Sequence, residues 1–166
     1  APPLVNPPKD WSRAAYANHT FGQGFLVTPL HLAAAFNTLV DGYYRPPRLI
    51  PSPHGQAERV FSLATAKAIR QALQEGLAPR AHLAGYPLAG KTGTAQVVVD
   101  GRYSQEVFTA WFAGFVPGDE PLYTVVVAIY HPKGKIHGSQ VAAPIFREVA
   151  AGLLAYRGIA PYAGRR

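Results

Sequence analysis

The run Ala89-Gly90-Lys91-Thr92-Gly93-Thr94-Ala95-Gln96 sets an ammonium, two hydroxyls and a glycine within four consecutive residues, and Val97-Val98-Val99 follow directly. Three β-branched residues in succession predict a strand. Side chains alternate along a strand, so Thr92 and Thr94 share one face. Two hydroxyl donors side by side, next to the charge of Lys91, make a receptor for a carboxylate. Gly93 between them lets a substrate or another backbone come close.

The same residues satisfy a second pattern. Gly85-Tyr86-Pro87-Leu88-Ala89-Gly90-Lys91-Thr92 has the spacing of a phosphate loop, G-x-x-x-x-G-K-[ST]. That loop needs a buried strand before it and a helix opening at Lys-Thr. Pro79-Arg80-Ala81-His82-Leu83 makes a poor strand, and Gly93 followed by valines makes a poor helix. A nucleotide site is therefore rejected.

Lys91-Thr92-Gly93-Thr94-Ala95 after a glycine resembles the third motif of the penicillin-binding proteins and serine β-lactamases. Phe21-Gly22-Gln23-Gly24 and Val27-Thr28-Pro29-Leu30-His31-Leu32-Ala33 resemble the segment preceding that motif in class B, monofunctional D,D-transpeptidases. Trp111-Phe112-Ala113-Gly114-Phe115-Val116-Pro117 resembles the strand after it. Gly138-Ser139-Gln140-Val141-Ala142-Ala143-Pro144-Ile145-Phe146 resembles the entry to the family's last helix. The resemblance runs in order from about Trp11 to Tyr156. It implies a partial transpeptidase fold, the three C-terminal strands of a five-stranded sheet plus flanking helices. Residues 1–166 would be the C-terminal portion of one domain.

The resemblance also implies a chemistry. In that family a serine attacks the D-Ala–D-Ala amide of a peptidoglycan stem peptide. An amine from a neighbouring stem resolves the acyl-enzyme, and β-lactams acylate the same serine. Carried over, Lys91 supplies positive potential and hydrogen bonding on the cleft wall. The Thr92 and Thr94 hydroxyls hold the terminal carboxylate, and the Thr94 backbone N–H is one of two oxyanion donors. Gly93 keeps the strand clear for substrate. The serine belongs to a Ser-x-x-Lys motif and faces a Ser-x-Asn motif. Ser12, Ser52, Ser62, Ser104 and Ser139 have neither lysine three residues on nor asparagine two residues on. Tyr16-Ala17-Asn18 fits a Tyr-x-Asn variant but falls where the family has a helix, and is read as chance.

The nucleophile, its lysine and two strands are therefore expected upstream, and this polypeptide alone is expected to be inactive in acylation. β-Lactams would bind covalently only with the missing serine. Two missing strands leave a sheet edge, to be covered by the upstream part of the same domain, by a homodimer or by strand exchange. Further implications are a membrane polymerase of the division or elongation machinery as partner, a parent anchored in the bacterial cytoplasmic membrane, and an extracytoplasmic site facing the cell wall. No cofactor is implied. The alternatives are a β-lactam sensor or serine β-lactamase of the same fold, and a non-catalytic binding or scaffold chain.

The elements that must position this stretch are legible around it. Residues 1–10 carry four prolines and read as an extended arm. Trp11 to Asn18 reads as a short helix and Phe21-Gly22-Gln23-Gly24 as a glycine-hinged turn. Thr28 caps a helix that takes Pro29 at its first position and stops at Asp41-Gly42. His31 reads as an ordinary helix residue. Tyr43 to Pro53 is an extended connection, with short strand pairing around Arg48-Leu49-Ile50. Ser62 caps the next helix, whose apolar stripe is Leu63, Ala66, Ile69, Ala72 and Leu73, with Gly76 after it. Asp100-Gly101 predicts a hairpin that turns residues 94–99 back towards a strand over 108–116, with 102–107 at its mouth. Trp111 and Phe112 read as core and sheet-face residues. Residues 122–130 are predicted to be the most buried strand. The last helix starts close to Ala142, because Pro144 belongs in a first turn, and Gly158 ends it. Residues 159–166 read as a frayed tail. Helices, three antiparallel strands joined by hairpins and a final helix give an α+β class, an antiparallel sheet with helices on its faces.

The 166 residues fit one domain, and 48% hydrophobic against 15% charged residues is a globular balance. Cysteine is absent, which excludes a disulfide, a thiolate metal site and a cysteine nucleophile. His131, Lys133, Lys135 and His137 form a basic loop without the carboxylates a metal site would want, so no metal is expected. Asp119 and Glu120 sit in a turn and form no acid/base pair. The net charge of +7 is scattered, with no recognition module beside it, so nucleic acid is not an expected partner. No apolar run reaches the roughly 18 residues of a spanning helix, and no signal peptide is apparent, so any anchor is expected outside this chain.

Overall fold

The computed structural model describes residues 3–50 and 55–162. In order it forms α1 (Arg13–His19), α2 (Pro29–Asp41), β1 (Tyr43–Tyr44), β2 (Glu58–Arg59), α3 (Leu63–Glu75), β3 (Ala89–Val99), β4 (Arg102–Val116), β5 (Tyr123–Tyr130) and α4 (Gly138–Tyr156). The fold is α+β. An antiparallel sheet in the order β3-β4-β5 is packed between helices, and β1 and β2 form a separate two-stranded pair. Among the described residues no helix is long and apolar enough to cross a membrane.

The helices begin where their caps dictate. Ser12, Thr28 and Ser62 each accept a backbone N–H three residues on. Thr28 and His31 form a reciprocal capping box, a role for His31 that its type alone does not signal. Gly42 ends α2 in the left-handed region at φ 89°, and its missing side chain leaves room for the Phe61 carbonyl. Arg70 on α3 is buried, and its Nη1 donates to the carbonyls of Leu39 and Val40, the last turn of α2. The guanidinium therefore satisfies carbonyls that the helix leaves without intrahelical donors.

β4 is the middle strand and has a helix layer on each face. Phe112 packs on Phe146 of α4, with ring centroids 4.4 Å apart, and Phe115 packs on Phe36 of α2 at 5.7 Å. Residues 112–118 are consequently all buried. Leu88, Phe112, Val116, Ala142, Ala143, Phe146, Ala150 and Leu154 form the core beneath α4. Gly90 and Gly114 are opposite each other in the register, and neither has space for a side chain. A Cβ on Gly90 would stand 2.5 Å from the Phe112 ring, and one on Gly114 would overlap the Ala89 carbonyl oxygen and sit 3.0 Å from Phe146 Cζ.

Several expectations are corrected. β4, not β5, is the most buried strand, because β5 is at a sheet edge and keeps Ala128 and Tyr130 exposed. Residues 102–107 belong to β4 rather than to a loop. The short pairing joins Tyr43 and Tyr44 to Arg59 and Glu58, not residues 48–50, and 51–53 of the expected connection lie outside the described residues. On α3, Leu63 and Ala72 are exposed, and the buried positions are Ala66 and Arg70. Helix α4 starts at Gly138 and carries Pro144 within it, so the basic loop ends at His137. Residues 159–162 are docked: Tyr86 Oη donates to the Ile159 carbonyl at 3.0 Å and Tyr162 N–H to Gly85 at 2.7 Å. Residues 163–166, the rest of the expected tail, lie outside the described residues, as do residues 1–2 of the arm. The arm itself is tied down by a bridge between Leu4 and Leu26.

Candidate functional site: the edge of strand β3

Lys91, Thr92, Gly93 and Thr94 lie in β3, opposite Ala113, Phe112, Trp111 and Ala110 of β4. β4 occupies one side of β3, and among the described residues no strand pairs with the other. Alternation puts Thr92 and Thr94 on the face covered by α4, with Phe112, and Lys91 on the face covered by α2 and α3, with Phe115. Lys91 is exposed and makes no ion pair among the described residues. Its Nζ turns back to donate to the Thr92 carbonyl at 3.1 Å.

Thr94 is held from a distant part of the chain. Its Oγ1 accepts the backbone N–H of Gly138, the first residue of α4, at 3.0 Å. The positive end of the α4 dipole thus lies against Thr94. A Cβ on Gly138 would stand 2.5 Å from the Gly93 carbonyl oxygen and would overlap that of Trp111. A Cβ on Gly93, by contrast, would meet only Trp111 Cβ, at 3.4 Å. The packing demand for glycine is therefore at 138, at the head of a helix expected to start only near Ala142. The available signal was Gly138-Ser139-Gln140 running straight into the small residues of a helix.

Beyond Gln96 the hairpin changes character. Register shifts between Gln96 and Val98, and β4 bulges opposite. Ser104 Oγ accepts the N–H groups of Glu106 and Val107 at 3.1 and 2.9 Å, and Gln96 Nε2 donates to the Ser104 carbonyl at 3.0 Å. Asp100 and Gly101, at φ 50° and 75°, close the turn in the left-handed region that an Asp-Gly hairpin requires. The basic loop runs alongside: His131 N–H donates to the Phe108 carbonyl at 2.8 Å, and Lys133 Nζ is 3.4 Å from His131 Nε2. Among the described residues no group of His, Cys, Asp or Glu could hold a metal. A cleft of about 1040 Å³, lined by residues such as His82, Tyr86, Asp119 and Tyr162, contains none of residues 91–94.

A sequence model described as the penicillin binding protein transpeptidase domain matches residues 5–151. The chain is 35% identical over 178 residues to penicillin-binding protein PbpB of Mycolicibacterium smegmatis, covering 91% of this chain and 28% of that protein. It is 36% identical over 160 residues to the peptidoglycan D,D-transpeptidase FtsI of Escherichia coli K12, covering 91% and 27%. Penicillin binding protein 3 of Mycobacterium tuberculosis, solved in complex with ampicillin, superposes with a TM-score of 0.89 at 30% identity, over 98% of this chain and 42% of that one. The chain thus spans less than a third of the length of these curated relatives.

Proposed function

This chain belongs to the penicillin-binding protein transpeptidase domain family, and we propose that it forms one wall of a D,D-transpeptidase active site that cross-links peptidoglycan stem peptides. The observation that carries the reading is the placement of Lys91-Thr92-Gly93-Thr94 on the open edge of β3, with the Thr94 hydroxyl already fixed. An acyl donor ending in D-Ala–D-Ala presents a carboxylate beside its scissile amide. The hydroxyls of Thr92 and Thr94 donate to that carboxylate, and Lys91 adds positive potential at the edge. The Thr94 backbone N–H donates to the oxyanion that develops as a serine attacks.

That serine is contributed from outside this chain, since none of its serines stands in a Ser-x-x-Lys pattern. The full active site then operates on the outer side of the cytoplasmic membrane, where peptidoglycan is made, beside a membrane polymerase. The test is acylation of a full-length protein carrying this chain by a fluorescent penicillin. Thr94→Val should slow labelling with the fold intact, and unchanged labelling would remove the role from β3.

A further inference from the structure

The geometry points to Gly138 as a positioning residue that aims the Thr94 hydroxyl at the carboxylate of the acyl donor, a role that rests on the reading of β3 above. A threonine hydroxyl has one proton and two lone pairs. One lone pair of Thr94 Oγ1 is engaged by the Gly138 N–H at 3.0 Å. With a donor on that side, the hydroxyl proton is turned away from the head of α4 and is available to an anion at the β3 edge. A hydroxyl without that partner rotates, and for part of the time presents a lone pair to the carboxylate. Accepting one hydrogen bond also polarises the hydroxyl and makes it the stronger donor.

The Gly138 N–H can serve Thr94 because the helix does not need it. The next amides of the turn, those of Gln140 and Val141, both donate to the His137 carbonyl. The residue has to be glycine for a separate reason. A Cβ at 138 would press on the carbonyl oxygens of Gly93 and Trp111, which are cross-strand partners in the sheet and cannot yield. Any side chain lifts the head of α4 from β3 and lengthens the bond to Thr94. The body of the helix stays in place, held by Phe146 on Phe112.

The experiment uses a full-length protein carrying this chain and measures second-order acylation by a penicillin and by its methyl ester. Gly138→Ala is expected to slow the acid about tenfold, the scale of one charge-assisted hydrogen bond, and the ester less than about twofold. On a Thr94→Val background, Gly138→Ala should have no further effect on the acid. The acid-to-ester ratio is internal to each preparation, so a loss of folded protein cancels. Replacing the Gly138 amide by an ester, through glycolic acid, deletes the N–H without adding an atom and should lower the same ratio. Equal slowing of acid and ester, an undiminished Gly138→Ala effect on the Thr94→Val background, or no slowing overturns the inference. If Thr94→Val leaves the ratio unchanged, the reading of β3 falls and Gly138 with it. If Thr94→Val collapses the ratio and Gly138→Ala does not, only the Gly138 role is lost.

Discussion

The ring of Phe112 in β4 lies against the ring of Phe146 in α4, with centroids 4.4 Å apart and planes tilted by 36°. Both side chains are fully buried. The contact fixes the last helix on the sheet, and the head of that helix reaches Thr94. Phe146→Ala is expected to cost about 3–5 kcal/mol of stability, and Phe146→Leu about 1–1.5 kcal/mol. Denaturant unfolding of a full-length protein carrying the chain reads both. Equal costs would mean that the loss follows the ring contact with Phe112 and not the volume that leucine keeps.

Thr94 separates hydroxyl chemistry from shape. Thr94→Ser keeps the acceptor of the Gly138 N–H and should stay within about threefold of the parent acylation rate. Thr94→Val, close in shape, should lose about tenfold or more, with circular dichroism unchanged. Identical rates for the two variants would show that the hydroxyl does not touch the acyl donor.

Two glycines that share β3 and β4 should behave in opposite ways. Gly114→Ala drives a methyl into the Ala89 carbonyl and onto Phe146, and should destabilise by about 2 kcal/mol or more. Gly93→Ala meets only Trp111 Cβ at 3.4 Å, so its stability should stay within about 1 kcal/mol. Its effect should appear instead in acylation, where the new methyl stands beside the path of the substrate. A large loss of stability in Gly93→Ala would contradict this division.

A pH dependence comes from the end of α2. Arg45 grips Asp41 with two hydrogen bonds of 3.0 and 2.7 Å and holds its carboxyl below the usual 3.8. The folded state binds this proton less tightly than the unfolded chain. The contribution is therefore fully present above about pH 3.8 and is lost as pH falls through the lowered folded value. The pair is well exposed, so the effect is at most about 0.5 kcal/mol. Asp41→Asn should lower Tm slightly near neutrality, with the difference narrowing in acid. A difference that grows in acid would reverse the assignment.

The isolated chain tests the division of labour. It carries Lys91-Thr92-Gly93-Thr94 but no serine in a Ser-x-x-Lys pattern, so a fluorescent penicillin should leave no covalent band on it in a denaturing gel. A band abolished by substituting one of Ser12, Ser52, Ser62, Ser104 or Ser139 would locate a nucleophile that the motif does not describe.

Local signals carried far in this sequence. The caps at Thr28 and Ser62 and the Asp100-Gly101 turn are written in adjacent residues and stand where those residues predict, and the three strands are antiparallel as expected, with β4 starting at Arg102 rather than near 108. What was not legible depends on contacts between distant segments. The middle position of β4, and hence its burial, is set by sheet order and by helices on both faces, not by hydrophobicity, in which residues 122–130 compete equally. Arg70 reads as a polar helix residue until the end of α2 is brought to it. Pro144 pointed to a late start for α4, whereas the helix tolerates it in its second turn and begins at Gly138. The Thr94–Gly138 bond, between residues 44 apart, leaves no pattern in either local stretch.

The unequal lengths of β4 and β5 divide the sheet into two regimes of backbone protection. β5 pairs only with residues 109–116 of β4, so the distal hairpin around Asp100-Gly101 has each strand facing just its mate. Its amides can trade deuterium through opening of the hairpin alone, while those of residues 110–116 must wait for the whole layered core to part. The boundary between fast and slow exchange falls at the Ser104 bulge, a few residues beyond Thr94 in the register, so the rim of the hairpin can breathe without loosening the strand that carries Lys91 and Thr94.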